Sequence, residues 1–472
     1  MRESVGRRGP GARRCRFIPL TIAHAVLLSG CVDEPSDPLQ EIFLELSPET
    51  LPPSPPDITN RFADSPEAAL LGQRFFFDPG FSGALIDTDN NGTPGTLGRR
   101  GDVGKVACSS CHVPSAGFSD TRSPFGAQIS LASGWLLRRT PSLLDIGQVP
   151  LIMWDGRKDN LYNQVFGPTE SAIESNSSRL YLAEQVFSRY RAEYEAVFGL
   201  MVPSDDPGRF SDAARFPALT AEATGCQDVD DFGINEVTCP GPMHGTPGDG
   251  AEYDGMTPAD QEAVTEVVVN VGKAMAAYQR LLSCGPSRFD AWVHGDEAAL
   301  SEAEQRGAAL FVGKAKCVTC HSGPYFSDQE FHNVGLEPAS IQASGFIDAD
   351  DRGAAVGLAT AIADPLNTRG VWSDAEGGDG RLPSEVPEGM EGAFRTPMLR
   401  CGAARPAFMH TGQFKTLREV VAFFSRGGSP SGYPGHNELE PLNLTREEQD
   451  DLVAFLRALD GPGPDERLLS SP

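Results

Sequence analysis

Two copies of a five-residue pattern, C-x-x-C-H, lie about two hundred residues apart in this chain. They comprise Cys108, Cys111 and His112 in the first copy and Cys317, Cys320 and His321 in the second. In c-type cytochromes the two thiols of this pattern bond to the vinyl groups of a haem, and the histidine ligates its iron. A single copy is weak evidence, whereas two copies in similar surroundings predict two covalently bound c-type haems.

The overall composition is that of an acidic globular protein. The chain has 472 residues, of which 40% are hydrophobic, and a formal net charge of −26. This length accommodates two domains and an additional module. Because proteins bind a nucleic-acid backbone through Lys and Arg, the acidity argues against a nucleic-acid partner. It is compatible with steering of a basic redox partner, and equally with solubility alone.

The N-terminus has the features of an export signal. Several arginines precede an apolar run, Phe17 to Leu28, which is too short to span a bilayer as a helix. The run ends in Leu-Ser-Gly-Cys, which resembles a bacterial lipobox with Cys31 as the lipidated residue. We therefore predict a signal peptide at residues 1–30, a lipid-anchored Pro-rich tether at residues 31–60, and a periplasmic location. An ordinary cleaved signal with an incidental Cys31 is the alternative.

Of the ten cysteines, Cys15 leaves with the predicted signal peptide, Cys31 takes the lipid and four attach haem. Four remain, and an oxidising compartment favours their pairing. Cys226 with Cys239 is a plausible local disulfide, and Cys284 with Cys401 would then be the second. The sequence does not fix this connectivity, and free thiols are the alternative.

Periodicity and capping residues predict a mainly α fold with two c-type cytochrome-like helical domains, each wrapping one covalent haem, and long loops. The predicted domains are residues 61–200 and 257–472, separated by a Gly/Pro/Asp-rich insertion at residues 201–256. Asp350 to Met390 is predicted to be a loop. One predicted helix begins at Ser65. The others cover Thr257 to Leu282, Ser301 to Phe311, Leu417 to Ser425 and Thr445 to Leu459.

Short stretches that follow each haem motif are repeated. Gly117-Phe118-Ser119-Asp120 corresponds to Tyr325-Phe326-Ser327-Asp328, and Arg139-Thr140-Pro141 corresponds to Arg395-Thr396-Pro397. Internal similarity of this kind predicts two related structural units, one around each haem.

Together these stretches resemble the bacterial dihaem cytochrome c peroxidase family, including its MauG-like branch. The resemblance covers roughly Leu70 to Leu459 apart from the insertion. Besides the haem motifs and the repeats, it rests on Leu71 to Asp78, Trp154 to Arg157, Phe331 to Gly335 and Phe408 to Gly412.

In this family the N-terminal haem reacts with peroxide, and the resemblance implies that Trp154, Gln164 and Glu174 line its pocket. These residues are spaced ten apart. The Glu174 carboxylate would move a proton between the peroxide oxygens, the Gln164 amide would orient peroxide, and Trp154 would relay electrons. A surface carboxylate, a surface amide and a core tryptophan are the alternatives.

The axial ligands on the far side of each iron differ from the family pattern. Typical members block the first haem with a second histidine, but no histidine lies between His112 and His244, and Gln128 stands near the expected position. The resemblance therefore implies an open first haem, as in the MauG-like branch. At the second haem the family's Met or Tyr corresponds to Phe424, which cannot ligate iron. Met409 and His410 are the nearest substitutes, of which we name Met409, and a five-coordinate iron is the alternative.

The family also binds calcium between its domains, but Arg139 and Arg405 stand at two positions that correspond to its ligands. We therefore expect calcium to be absent. The sequence does not fix the oligomeric state, and a homodimer is compatible with it.

The resemblance implies a peroxidase that reduces hydrogen peroxide with electrons from a small periplasmic redox protein. The alternatives are a MauG-like oxidase that acts on a partner protein, and an electron-transfer cytochrome without peroxidase activity.

Overall fold

The computed structural model describes residues 38–122, 129–225, 251–338 and 350–472. Within these ranges the protein is mainly helical. Its helices are α1 (Pro38–Leu46), α2 (Pro66–Phe77), α3 (Cys108–Cys111), α4 (Leu161–Gln164), α5 (Phe166–Glu170), α6 (Arg179–Arg189), α7 (Arg191–Phe198), α8 (Ala251–Asp254), α9 (Pro258–Gln279), α10 (Arg288–Val293), α11 (Glu302–Val312), α12 (Ala354–Ala363), α13 (Leu417–Ser425) and α14 (Arg446–Ala458). Two short strands, β1 (Phe331–His332) and β2 (Phe394–Arg395), pair antiparallel with Phe331 opposite Arg395.

The capping residues place the helix starts where the sequence predicted them. The Ser65 side chain accepts a hydrogen bond from the Ala68 N–H at 3.2 Å, and Pro66 occupies the first turn of α2. Thr257 caps α9 in the same way. The starts of α11, α13 and α14 are reciprocal capping boxes, in which a Ser or Thr and a Glu three residues later satisfy each other's backbone N–H.

The prediction of a loop from Asp350 to Met390 is wrong for its first part, which contains α12. The helix sequence AAVGLATAIA is rich in alanine, the best helix former, and it buries Leu358. At Gly357 the helix lies against the backbone of Asp155, where a Cβ would meet the carbonyl oxygen at 2.0 Å. The Gly- and Pro-rich residues that follow α12 obscured this short helix in the sequence.

Two units of similar architecture each consist of a crossed helix pair with a glycine at the crossing. The first unit packs α2 on α9, and the second packs α11 on α14. A Cβ at Gly72 would lie 2.0 Å from the carbonyl oxygen of Ala274, and one at Gly307 would lie 2.1 Å from that of Asp451. Only glycine allows backbones to approach so closely.

The predicted domain boundary between residues 256 and 257 is wrong, because α9 belongs to the first unit. Its valines join the apolar residues of α2 and α6 in one core, whereas Phe289 of α10, the next helix along the chain, belongs to the second core. Helix α9 is apolar on nearly all sides, as its buried residues show. Its sequence therefore indicated burial but did not indicate which unit it buries against.

The predicted tether is also corrected from Pro38 onward. Helix α1 packs on the second unit, where Phe43 contacts Phe289 and Trp292 with ring centroids 5.9 and 5.3 Å apart. Leu46 is 1% exposed. Burial of two such side chains stabilises the folded state by roughly 1.5–3 kcal/mol each. This segment therefore packs on the second unit although the surrounding sequence is rich in proline.

A disulfide joins the two units. It links Cys284, which follows α9, to Cys401, with Cα atoms 6.0 Å apart. This interunit disulfide confirms the expected pairing. Cys226 and Cys239 lie outside the described residues, as do Cys31 and the predicted signal peptide. Within the described ranges, no helix is long and apolar enough to cross a bilayer.

Candidate active site

The histidines of the two C-x-x-C-H motifs are held in the same way. The Nδ1 of His112 lies 3.1 Å from the carbonyl oxygen of Phe118, and that of His321 lies 2.8 Å from the carbonyl oxygen of Phe326. A carbonyl only accepts, so each Nδ1–H donates and each Nε2 keeps its lone pair for a metal. Burial lowers the pKa of His112 to about 4, so its imidazole is neutral at pH 7. Both histidines are therefore prepared as iron ligands.

The residues behind these histidines repeat in three dimensions. Phe118 and Phe326 are fully buried and have φ values of +56° and +54°. The next residue in each unit, Ser119 or Ser327, donates its hydroxyl hydrogen at 2.7 Å to the threonine carbonyl of the repeated Arg-Thr-Pro stretch. The structure thus confirms that the sequence repeat corresponds to two related units.

A cavity of about 570 Å³ adjoins the first motif. Its lining includes every residue that the sequence assigned to the first site, namely Cys108, Cys111, His112, Trp154, Gln164 and Glu174. The volume lies within the range of cofactor pockets, roughly 300–1,000 Å³. The cysteines of both motifs are free thiols. Thiols, a neutral imidazole and a cofactor-sized cavity together fit a covalently attached haem.

Glu174 is an enclosed carboxyl group on the wall of this cavity. Burial raises its pKa, and the positive charge of Arg157 and a hydrogen bond from Ser171 oppose that rise in part. Its backbone is fixed, because its carbonyl accepts the Ser133 N–H at 3.0 Å. A carboxyl group with a raised pKa at a fixed position can accept and return a proton.

Gln164 and Trp154 reach the cavity from two different elements. Gln164 is the last residue of α4, whose start is capped by Asn160. Trp154 is 8% exposed, and its Nε1–H donates to the carbonyl oxygen of Arg139 at 2.7 Å. The Trp154 carbonyl accepts the Arg395 N–H at 2.8 Å. This tryptophan therefore connects the first cavity to a segment of the second half of the chain.

An ion-pair network that the sequence analysis missed forms part of the cavity wall. Arg138 donates to Asp155 at 2.5 Å and to both carboxylate oxygens of Asp351 at 2.7 and 2.8 Å. Burial alone would raise the pKa of Asp155, but Arg157 and Arg138 outweigh it and lower that pKa. Because Asp351 lies 213 residues from Arg138, no local pattern indicated the pair.

At the second site, Met409 and Phe424 pack against the same apolar cluster, which contains Leu336 and Phe423. Met409 lies in a turn with a φ of +68°, and Phe424 lies on α13. The structure therefore brings Phe424, which stands at the family's ligand position, and Met409, the named substitute, to one apolar cluster.

His410 is 3% exposed and stacks on Phe394 with ring centroids 3.6 Å apart. Among the described residues its Nε2 has no hydrogen-bond partner, and burial lowers its pKa to about 3. His410 is the other of the two substitute ligands that the sequence suggested.

Comparison with known proteins agrees with this geometry. The profile of the family described as "Di-haem cytochrome c peroxidase" (CCP_MauG) matches residues 66–221. The methylamine utilization protein MauG of Methylorubrum extorquens is 27% identical over 460 residues, which cover 94% of this chain and 95% of that protein. The cytochrome-c peroxidase IdrP1 of Denitromonas iodatirespirans is 28% identical, with coverages of 94% and 93%.

Two solved structures have a similar fold. The diheme peroxidase BthA from Burkholderia thailandensis matches with a TM-score of 0.56 and 23% identity over 88% of this chain and 95% of that one. A MauG-like protein associated with microbial copper homeostasis matches with a TM-score of 0.51 and 25% identity, with coverages of 90% and 96%. These relatives identify the chain as a peroxidase-type oxidoreductase. It is similar to the di-haem cytochrome c peroxidase family over residues 66–221, and to MauG proteins and cytochrome c peroxidases along most of its length.

Proposed function

We propose that this chain is a periplasmic dihaem c-type peroxidase, which reduces hydrogen peroxide with electrons from a small redox protein. The observation that carries the proposal is the single cavity that Glu174 and Gln164 share with His112. A proton-transfer group, a polar amide and an iron ligand in one enclosed space are what peroxide reduction needs.

A haem bound through Cys108 and Cys111 would supply the iron that binds peroxide and the electrons that cleave its O–O bond. The protein must move protons, because two protons and two electrons convert one peroxide into two waters. The Glu174 carboxylate accepts the proton of one peroxide oxygen and returns it to the departing oxygen. The Gln164 amide orients the peroxide, and the buried Trp154 lies on the path towards the second unit.

In this proposal Cys317, Cys320 and His321 would hold a second haem, which would supply the electron-transfer chemistry of the second unit. Phe424 cannot ligate iron, so Met409 would be the further iron ligand. A thioether ligand and an open position give different reduction potentials and different optical spectra. The visible and electron-spin spectra of the oxidised Met409→Ala protein, compared with the wild type, test this ligand. Identical spectra would show that Met409 is not bound to iron.

The activity is tested with the purified holoprotein. A haemochrome assay should give two c-type haems per chain. In a stopped-flow instrument, mixing with peroxide should change the haem absorbance within seconds. A reduced small cytochrome c should then be oxidised with two electrons per peroxide. A protein with two haems whose spectrum does not respond to peroxide would be an electron-transfer cytochrome instead.

A MauG-like oxidase is the second candidate function. The absence of any histidine between His112 and His244 leaves the first haem without the family's blocking ligand, as in the MauG-like branch. Such an enzyme would withdraw electrons from side chains of a partner protein rather than accept them from a donor. Peroxide consumption that small donor cytochromes fail to accelerate would favour this candidate.

Cys31 is proposed to carry the lipid that anchors the protein to a bacterial membrane. Mass spectrometry of the mature N-terminus decides this point, because a lipidated Cys31 and an ordinary cleaved terminus differ in mass. Size-exclusion chromatography with light scattering tests the proposed homodimer.

A further inference from the structure

Two buried arginines and one partly buried arginine form a cluster beside the first cavity. Arg139, Arg395 and Arg405 comprise this arginine cluster. Arg139 is 3% exposed and Arg395 is 6% exposed, and both line the cavity. The Nε of Arg405 is also enclosed.

The cluster lacks an anion within the part of the chain that the structure describes. There, none of its three guanidinium groups forms an ion pair with a carboxylate. The Nε and Nη2 of Arg139 and the Nε of Arg405 have no hydrogen-bond partner at all. Arg395 donates only to neutral oxygens, including the Gln329 side chain at 3.2 Å. Burying unpaired charge is costly, so a native protein compensates it with an anion.

Repulsion within the cluster, and between the cluster and Lys415, adds to the cost of burying its charge. Burial and then the charge of Arg405 lower the pKa of Arg139 to about 9 and that of Arg395 to about 10. Burial lowers the pKa of Lys415, and so does the charge of Arg139. Among the acidic groups, Asp120 raises the pKa of Arg139 without forming an ion pair with it. Asp120 is already paired with Arg122.

Asp460 and Asp145 raise the pKa of Arg405 without forming an ion pair with it. Neither carboxylate reaches the guanidinium groups of the cluster. A divalent cation at this place would face three positive groups, whereas a carboxylate would satisfy the unused N–H donors, which form the strongest hydrogen bonds with anionic oxygens.

We propose that the arginine cluster binds the propionate carboxylates of the haem attached at Cys108 and Cys111, and that it replaces an interdomain cation. This inference depends on the proposed haem attachment but not on peroxidase activity. Arg139 is the principal contact, because it combines full burial, a position on the cavity wall and two unused donors. Arg395 is a second contact on the same wall.

The first test compares holoproteins carrying Arg139→Ala, Arg139→Lys and, as a control, Arg418→Ala at a half-exposed surface arginine. Resonance Raman spectra of the propionate bending modes and the midpoint potential of the first haem are measured. Arg139→Ala should shift the propionate modes and lower the potential, because loss of a nearby positive charge favours ferric iron. Arg139→Lys keeps the positive charge, so its midpoint potential should stay near that of the wild type. Its propionate modes should still shift, because lysine cannot bind a carboxylate through two N–H groups. Unchanged modes and potential in Arg139→Ala would overturn the proposal.

The second test uses the wild-type holoprotein and needs no variant. Metal analysis after chelation should find no calcium, and titration with inorganic phosphate should leave the haem spectrum and potential unchanged. One tightly held calcium per chain would overturn the replacement of a cation. A saturable response to phosphate would show that the cluster holds a free anion, and would overturn the assignment to propionate. A wild-type haem count below two would instead refute the proposed function itself.

Discussion

Replacing Glu174 with glutamine is the most direct test of the proton-transfer assignment. Glu174→Gln keeps the size and polarity of the side chain but removes its ability to accept a proton. Positioned general acid–base groups contribute about 10²–10⁴-fold to rate, which corresponds to roughly 3–5 kcal/mol of transition-state stabilisation. We expect a loss in that range in the second-order rate of the absorbance change on mixing with peroxide.

The pH dependence of the rate with peroxide provides a second test with the same variant. Burial raises the pKa of Glu174, and only its ionised form can accept the proton. The wild-type rate should therefore fall as pH decreases through a value above the ordinary pKa of glutamic acid. This acidic limb should be absent in Glu174→Gln, whose residual rate no longer depends on that ionisation.

A matched control separates proton transfer from a general charge effect. Glu184 also has a pKa that burial raises, but it accepts a hydrogen bond from the Leu219 N–H and does not line the cavity. Glu184→Gln should keep the wild-type rate and the acidic limb. If Glu174→Gln reacts with peroxide as fast as the wild type at neutral pH, the proton-transfer role of Glu174 is wrong.

Three further predictions concern stability and are measured by denaturant unfolding of the holoprotein. Asp290→Asn should cost about 3–5 kcal/mol, because it leaves the fully buried Arg400 without its carboxylate partner at 2.7 and 2.8 Å. Burial alone would raise the pKa of Asp290, but Arg400 outweighs it and lowers that pKa to about 2, so this stabilisation is present above the unfolded pKa and is lost as pH falls through about 2. Gly72→Ala should cost at least about 1–3 kcal/mol because its Cβ would overlap a carbonyl oxygen, whereas Gly167→Ala, where a Cβ would meet nothing within 4 Å, should be tolerated. Replacing both cysteines of the interunit disulfide with serine should cost about 2–4 kcal/mol, and an unchanged unfolding midpoint would contradict its structural role.

The chemistry of this protein was largely predictable from its sequence, because a haem-attachment motif and a helix cap both depend on the spacing of residues that are close in the chain. The motif from Cys108 to His112 places two thiols and an imidazole within five residues. Helix starts such as Ser65 were predictable for the same reason, since a cap satisfies backbone groups only two or three residues away. The pocket residues Gln164 and Glu174 were located by resemblance to a family, and the structure places them on one cavity wall.

Tertiary structure decided which distant segments meet. Nothing local in α9 distinguishes the first unit from the second, so the domain boundary was placed about thirty residues too early. In the same way, α1 had a tether-like composition but buries Phe43 and Leu46 on the second unit.

The arginine cluster shows the same limit at the level of charge. Arg139 and Arg395 are repeats of one motif, and the sequence showed them as two separate residues more than 250 positions apart. Folding brings them to one cavity wall and excludes their usual counterions. Spacing along the chain determines which groups are available for chemistry, whereas burial and the summed field of neighbouring charges arise only when distant segments pack together.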